Sequence, residues 1–293
     1  MGSGSTQAPS GATRVGFKKT YPAGTLDKAA VQALFGYLKA HVASAGFNVL
    51  LNNPDGIDFI RMGAAAGTAD DDTPHWAFSF QDQGTFGAIL AWPVYGNTYL
   101  DQTAYTHNHT LFNSAWLGTP APEITIWFAA DGVAGWWWMH CVQASTQSAT
   151  GVTMRFASAG ATSRRYPSDT HQGLCTRYGI WDAWGDWEPA YARTEDGQIN
   201  TRPWTGTWSP FGEGWSFNAK RHSGSPLPKM AVPQFPNRDG GISACILGEF
   251  NEILVLTDGY TSDELVVPGW VAMIGDEQDQ PYAVPAPEHF TLL

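Results

Sequence analysis

Charge is scarce in this chain. Only 15% of its 293 residues are Asp, Glu, Lys or Arg, against about 25% in an ordinary soluble domain. That excludes a coiled coil, a charged disordered tail and a helical repeat array. Basic residues are scarcer still: 16 Lys and Arg stand against 27 Asp and Glu, for a net charge of −11. They are scattered, with no run longer than two. A protein that neutralises phosphates clusters Lys and Arg on one face, so nucleic acid is not an expected partner, and anionic membrane surfaces are disfavoured alike. No stretch of 18 apolar residues is present, so no membrane insertion is expected. The N-terminal Met1-Gly-Ser-Gly-Ser-Thr-Gln-Ala-Pro-Ser-Gly-Ala-Thr13 lacks the apolar segment of a secretory signal. Cysteine is nearly absent. Cys141, Cys175 and Cys245 are odd in number and far apart, which reads as buried free thiols in a chain made in a reducing cytoplasm rather than as a disulfide framework.

What the chain has in quantity is aromatic residues, 13% of the total with 14 Trp, together with 32 Gly and 19 Pro. Many turns and short elements follow, the profile of a mainly β, α+β protein. Residues 1–24 are rich in Gly, Ser, Thr and Pro and read as an extended N-terminal arm, whose base Val15, Phe17 and Tyr21 can anchor. One helix follows. Thr25 can cap it, Val31, Leu34, Phe35, Leu38 and Val42 recur at helical spacing, and Gly46 stops it.

From Phe47 the period becomes two. Asn53-Pro54-Asp55-Gly56 turns between Phe47–Leu51 and Ile57–Ile60. Strands are expected at His75–Phe80, Phe86–Val94, Ile124–Phe128, Trp136–Val142 and Val152–Phe156, with a loop over 95–120. The helix and this antiparallel meander or sandwich make a core over 25–157. Residues 158–243 form a long Trp/Gly/Pro-rich excursion, with its own small core or a partner surface. Residues 244–293 return to strands that complete the core, and His289–Leu293 can pair at an edge, in cis or on a neighbour.

Candidate chemistry is sparse. His107 and His109 would share one face of a strand and could hold a metal together, but the surrounding segment reads as a loop with no carboxylate or Cys beside it, so no metal and no cofactor are expected. Asp70-Asp71-Asp72 and Asp276-Glu277-Gln278-Asp279 lack the ligand spacing of a calcium loop. No nucleophile elbow, phosphate loop or dinucleotide fingerprint occurs. Asp182, Asp186, Glu188 and Glu195, among tryptophans, leave open a polysaccharide-degrading enzyme with a carboxylate pair. The tryptophans themselves are the most unusual feature: Trp181, Trp184 and Trp187 recur every third residue, and Trp204, Trp208 and Trp215 follow. They suit a core, a subunit interface, or a platform on which sugar rings stack.

Three segments together resemble a family of tailed-bacteriophage virion structural proteins. The first is the helix Ala30–Leu38 running into Gly46-Phe-Asn-Val-Leu-Leu51. The second is Ile124-Thr-Ile-Trp-Phe128, the Asp131-Gly132 turn and Trp136-Trp-Trp138. The third is Leu247-Gly-Glu-Phe250, Glu264–Gly275 and Tyr282-Ala-Val-Pro285. Where many members continue with a His-Phe-Gly-Phe-Gly type of segment, this chain has Met154-Arg-Phe-Ala-Ser-Ala-Gly160. The resemblance implies a non-enzymatic subunit of the virion, made in the host cytoplasm and assembling as a symmetric oligomer at the neck, tail or baseplate. Its partners would be copies of itself and other virion proteins. The alternative is a host-recognition module that binds surface glycan through its Trp-rich region.

Overall fold

The computed structural model describes residues 14–64, 75–93, 109–114, 120–143, 154–160, 162–164, 171–178, 186–193, 199–200, 229–234, 245–255, 265–267, 269–273 and 282–293. The chain enters as strand β1 (Val15–Tyr21), followed by helix α1 (Lys28–Ser44). The five residues predicted to form the apolar stripe of α1 are all buried. Its cap is Asp27 rather than Thr25. The Asp27 Oδ1 accepts the Ala30 N–H at 2.8 Å, whereas the Thr25 hydroxyl donates to the Pro22 carbonyl. A carboxylate at this position both satisfies an orphan donor and complements the positive end of the helix dipole. At the other end Gly46 adopts φ 82°, the left-handed geometry that favours glycine just past a helix.

Five strands then form sheet B in simple antiparallel succession: β2 (Asn48–Asn53), β3 (Gly56–Ile60), β4 (His75–Gln83), β5 (Phe86–Pro93) and β6 (His109–Asn113). The turn at 53–56 forms as expected, with Asn53 Oδ1 accepting the Asp55 N–H. Strand β6 lies within the stretch expected to be a loop, and it pairs with β5. Sheet A is built from β7 (Ile124–Asp131), β8 (Trp136–Gln143), β9 (Met154–Gly160), β11 (His171–Tyr178), β12 (Asp186–Arg193) and β13 (Ile199–Asn200), with β10 (Thr162–Arg164) leaving for a third sheet. Strand β1 joins sheet A beside β7, antiparallel, over all seven of its residues. Sheet C contains β10, β14 (Lys229–Gln234), β15 (Cys245–Val255), β16 (Leu265–Val267), β17 (Trp270–Met273) and β18 (Tyr282–Pro285). The last strand, β19 (Thr291–Leu292), pairs parallel with β1 in the same chain, so the expected tail pairing is made in cis.

Two expectations are refined by this order. Val15 to Tyr21, expected within an extended arm over 1–24, form a strand between β7 and β19; Arg14 precedes it, and residues 1–13 lie outside the described residues. The stretch 158–243 contributes strands to two sheets, β11, β12 and β13 to sheet A and β10 and β14 to sheet C.

Alternation along sheet A assigns its two faces. On one, Phe17, Ile126, Phe128, Trp137 and Met139 join Val31, Leu34, Phe35 and Leu38 of α1 and Phe59, Trp76 and Phe78 of sheet B in a single buried cluster. Its rings meet edge to face: Trp137 and Phe78 lie 4.7 Å apart at 88°, and Phe59 and Phe78 lie 4.8 Å apart at 70°, the geometry that aromatic quadrupoles favour. On the other face Trp127 and Trp138 pack on Phe290, and the Trp138 indole donates to the Pro285 carbonyl at 2.6 Å. Sheet A is thus the middle of three layers.

The β7–β8 turn ties two of these layers through backbone alone. Gly132 N–H donates to the Ala45 carbonyl and its own carbonyl accepts from Met62 N–H, both at 2.8 Å. A Cβ at Gly132 would overlap the Phe47 nitrogen and the Gly46 carbonyl carbon. Backbone cannot step aside as a side chain can, so Gly132→Ala is expected to lose about 3 kcal/mol in urea unfolding. Gly36, on the exposed side of α1, has nothing within 4 Å of its added Cβ, and Gly36→Ala should gain about 0.5–1 kcal/mol in the same assay.

Candidate functional site

The residues singled out in the sequence fall in different places. Trp187, Asp186 and Glu188 lie on β12, with Trp187 opposite Arg177 of β11. His109 opens β6, opposite Ala91. His107, Trp181, Trp184, Trp204, Trp208 and Trp215 lie outside the described residues, as do Asp182, Glu195 and the acidic clusters at 70–72 and 276–279. Among the described residues, no group of three or more His, Cys, Asp or Glu is placed to hold a metal ion, and no helix is long and apolar enough to cross a membrane.

The structure instead gathers buried charge where β1 begins. Arg14 precedes the strand and turns its guanidinium inward. Its Nε lies 3.7 Å from Asp131 Oδ2, with the two side chains 9% and 1% exposed. Its Nη1 donates to the Gly269 carbonyl at 3.3 Å, and the guanidinium carbon stands 5.7 Å from the centre of the Trp136 ring. Arg14 therefore touches sheet A at two strands and sheet C at the residue before β17. Burial pulls its pKa below the ordinary arginine value, and the Asp131 charge works in the opposite direction.

Asp131 is shared between tasks. Its Oδ1 accepts the N–H groups of Val133 and Ala134, both at 3.0 Å, and so shapes the β7–β8 turn. A second buried carboxylate, Glu252 of β15, lies against the Cα of Gly160 on β9, where any Cβ would overlap it. The Trp136 Cβ lines the same spot. Further along the outer face of sheet A, a register line crosses four strands: Lys18, Trp127, His140 and Phe156 are successive cross-strand partners. Lys18 Nζ stands 4.0 Å over the Trp127 ring, within the range of a cation–π contact.

The three residues expected to anchor an arm lie within β1. Phe17 is buried between Phe128, at 5.6 Å, and His41, at 4.8 Å. Val15 packs against the core cluster, and the Tyr21 hydroxyl donates to the Ala30 carbonyl at 3.5 Å. Together with Arg14 they hold β1 against α1 and β7. In the sequence Arg14 is one isolated cation and Asp131 one half of a turn signal. Only the pairing of β1 with β7 brings them together.

Searches against family models, curated proteins and solved structures found no match for this chain.

Removing Arg14 leaves the Asp131 carboxylate buried beside an indole. Arg14→Ala should therefore cost roughly 3 kcal/mol of unfolding free energy. Asp131→Asn keeps an oxygen for the turn and should cost less than Asp131→Ala, a ranking that denaturant titration measures directly. A second expectation concerns alkali. Burial pushes the Tyr21 phenol up to about 12, with Tyr37 and Cys141 adding to the shift, while an unfolded phenol titrates near 10. The folded chain then holds its proton longer than the unfolded one. The stabilisation is complete below pH 10 and is lost as pH rises through 12. Phenolate absorbance should show a late-titrating component that Tyr21→Phe removes.

Proposed function

We propose that the chain is a non-enzymatic structural subunit of a tailed-phage virion, acting as a symmetric oligomer at the neck, tail or baseplate. It is made in the host cytoplasm and assembles with copies of itself and with other virion proteins. The observation that carries this reading is the seat of the N-terminus. Arg14 and Phe17 lock β1 into the middle layer, so the chain is held firmly from residue 14 onward. Such a seat suits an arm that reaches a neighbour, because pull on the arm is borne by seven residues of paired strand.

The segments behind the resemblance also form one unit, which supports reading them together. Ile124–Phe128 and Trp136–Trp138 are the two strands of one hairpin, its Asp131–Gly132 turn docks on the end of α1, and the Tyr282–Pro285 strand lies across its outer face through Trp138. In this reading the three-layer core supplies stiffness, and residues 1–13 with the Trp-rich stretch supply contacts.

The test is direct. Mass spectrometry of purified tailed particles from the source should find this polypeptide at stoichiometric level; its absence removes the proposal. Deleting residues 2–13 while keeping Arg14 should leave the melting temperature within about 2 °C of the full chain and impair incorporation into particles. A truncated chain that melts several degrees lower and still incorporates normally would make the segment an internal element instead.

A further inference from the structure

Sheet A ends at β19, and among the described residues no strand lies beyond it. Strand β19 pairs with β1 at Phe17 and Lys18 only, whereas β7 pairs with all seven residues of β1. One ring anchors this tail. Phe290 lies edge-on 5.0 Å from Trp127 and 6.0 Å from Trp138. Gly16 gives it room, since a Cβ there would stand 3.0 Å from the ring. The walls of the slot belong to the paired strands β1, β7 and β8, and Trp138 is fixed by its bond to the Pro285 carbonyl. Pro285 precedes the tail, so the slot keeps its shape whether the tail fills it or not.

The tail leaves sheet C along a stiff lead. Pro285 and Pro287 fix their own φ and favour an extended Val284 and Ala286, and the Ala286 N–H donates to the Gly269 carbonyl at 2.9 Å. The chain then bends at Glu288 and His289, both exposed. Pairing resumes at Thr291, and the Leu293 N–H donates to the Lys18 carbonyl at 3.1 Å. Among the described residues no backbone hydrogen bond closes the bend itself. Straightening Glu288 and His289 therefore frees the tail without disturbing sheet C.

A freed tail exposes Phe290 and uncovers Trp127, so burial drives it back into a slot of the same kind. A second copy supplies one, with the same ring walls, the same Gly16 and the same β1 edge. Lys18 and Lys19 blunt that edge toward unrelated strands, and this tail is the segment that the structure pairs beside them. Glu288 to Leu292 reach about 16 Å when extended, so exchange sets the β1–β19 edges of two copies next to each other. Leu292 lies on this edge. It is 79% exposed, more than any other large apolar side chain among the described residues, and a neighbouring edge covers it.

We propose that residues 288–293 exchange between two copies of this chain, each tail pairing with the β1 edge of the other about a two-fold axis. The tail makes the same contacts closed or exchanged, so protein concentration decides between the two forms. The inference concerns the isolated chain and does not rest on the virion reading. Sedimentation velocity of the full-length protein, from about 1 to 100 µM, should show a monomer–dimer equilibrium. Lys18 and Leu292 are cross-strand partners, so a disulfide between these positions reports which copy supplies the tail. A Lys18→Cys chain mixed with a Leu292→Cys chain at about 100 µM should become linked through these two positions, read by mass spectrometry of the joined peptides. The double variant, Lys18→Cys with Leu292→Cys, should close the same bond within one chain at about 1 µM. A monomer throughout the range, or a dimer whose mixed chains carry no such link, overturns the proposal.

Discussion

A strand with tryptophan at three successive positions cannot turn one face to water. Side chains alternate along a strand, so Trp136, Trp137 and Trp138 need cover on both sides of sheet A, and all three are fully buried. Most of the architecture answers that demand. Trp137 projects into the α1 and sheet B side, where Phe78 and Trp76 stand against it. Trp136 and Trp138 project the other way, where Arg14, Phe290 and Pro285 receive them. Sheet C is therefore part of the core rather than an appendage. Without it, two large indoles on the outer face of β8 would meet solvent, forfeiting roughly 1.5–3 kcal/mol for each side chain.

The same indoles carry a cost. Trp138 finds the Pro285 carbonyl, but among the described residues the indole N–H groups of Trp76, Trp136, Trp137 and Trp270 meet no acceptor. A buried donor without an acceptor costs about 1–3 kcal/mol. Edge-to-face contacts return about 0.5–1.5 kcal/mol each beyond area burial, and Trp137 makes two, with Phe78 and Trp76. Volume and ring geometry thus outweigh hydrogen bonding at these positions. Arg14 enters this interior with the Asp131 carboxylate and the Gly269 carbonyl beside it.

Local structure was legible in the sequence because its signals are local. The apolar stripe of α1, the Gly46 stop, the Asn53–Gly56 turn and the alternation through Ile124–Phe128 each depend on residues a few positions apart, and each appears where its period placed it. Asp27 displaced Thr25 as the cap because a carboxylate two residues on could serve the same donor and the dipole besides. What stayed hidden was pairing at a distance. Nothing in Val15–Tyr21 announces β7 as a partner, and a strand flanked by Gly, Ser and Pro looks like an arm until its register is known. Strand β6 was missed for a similar reason: five residues, His109–Asn113, are too few to show a period, and β5 supplies the order. The Arg14–Asp131 pair is invisible without that register. The tryptophans at 181–215, the strongest signal in the chain, lie outside the described residues apart from Trp187 on its strand.

Chain topology then accounts for where the strongest individual contacts sit. Sheet B and most of sheet A pair strands that follow one another along the chain, so the segments they close are short beside those that return sheet C and β19. Sheet C and β19 must instead be brought back from the far end of the chain. Arg14 and Gly269 are 255 residues apart, and Trp138 and Pro285 are 147 apart. The entropy of closing such loops grows slowly with length, and the contacts that close them must still meet it. The contacts found there are correspondingly strong: a buried guanidinium on a carboxylate, an indole N–H at 2.6 Å from a carbonyl, and Phe290 held edge-on between Trp127 and Trp138. Gly16 completes the fit, since a Cβ there would press on both the Phe128 carbonyl and the Phe290 ring. Among the described residues, side chains on the outer face of β1, β7 and β8 carry this long-range closure.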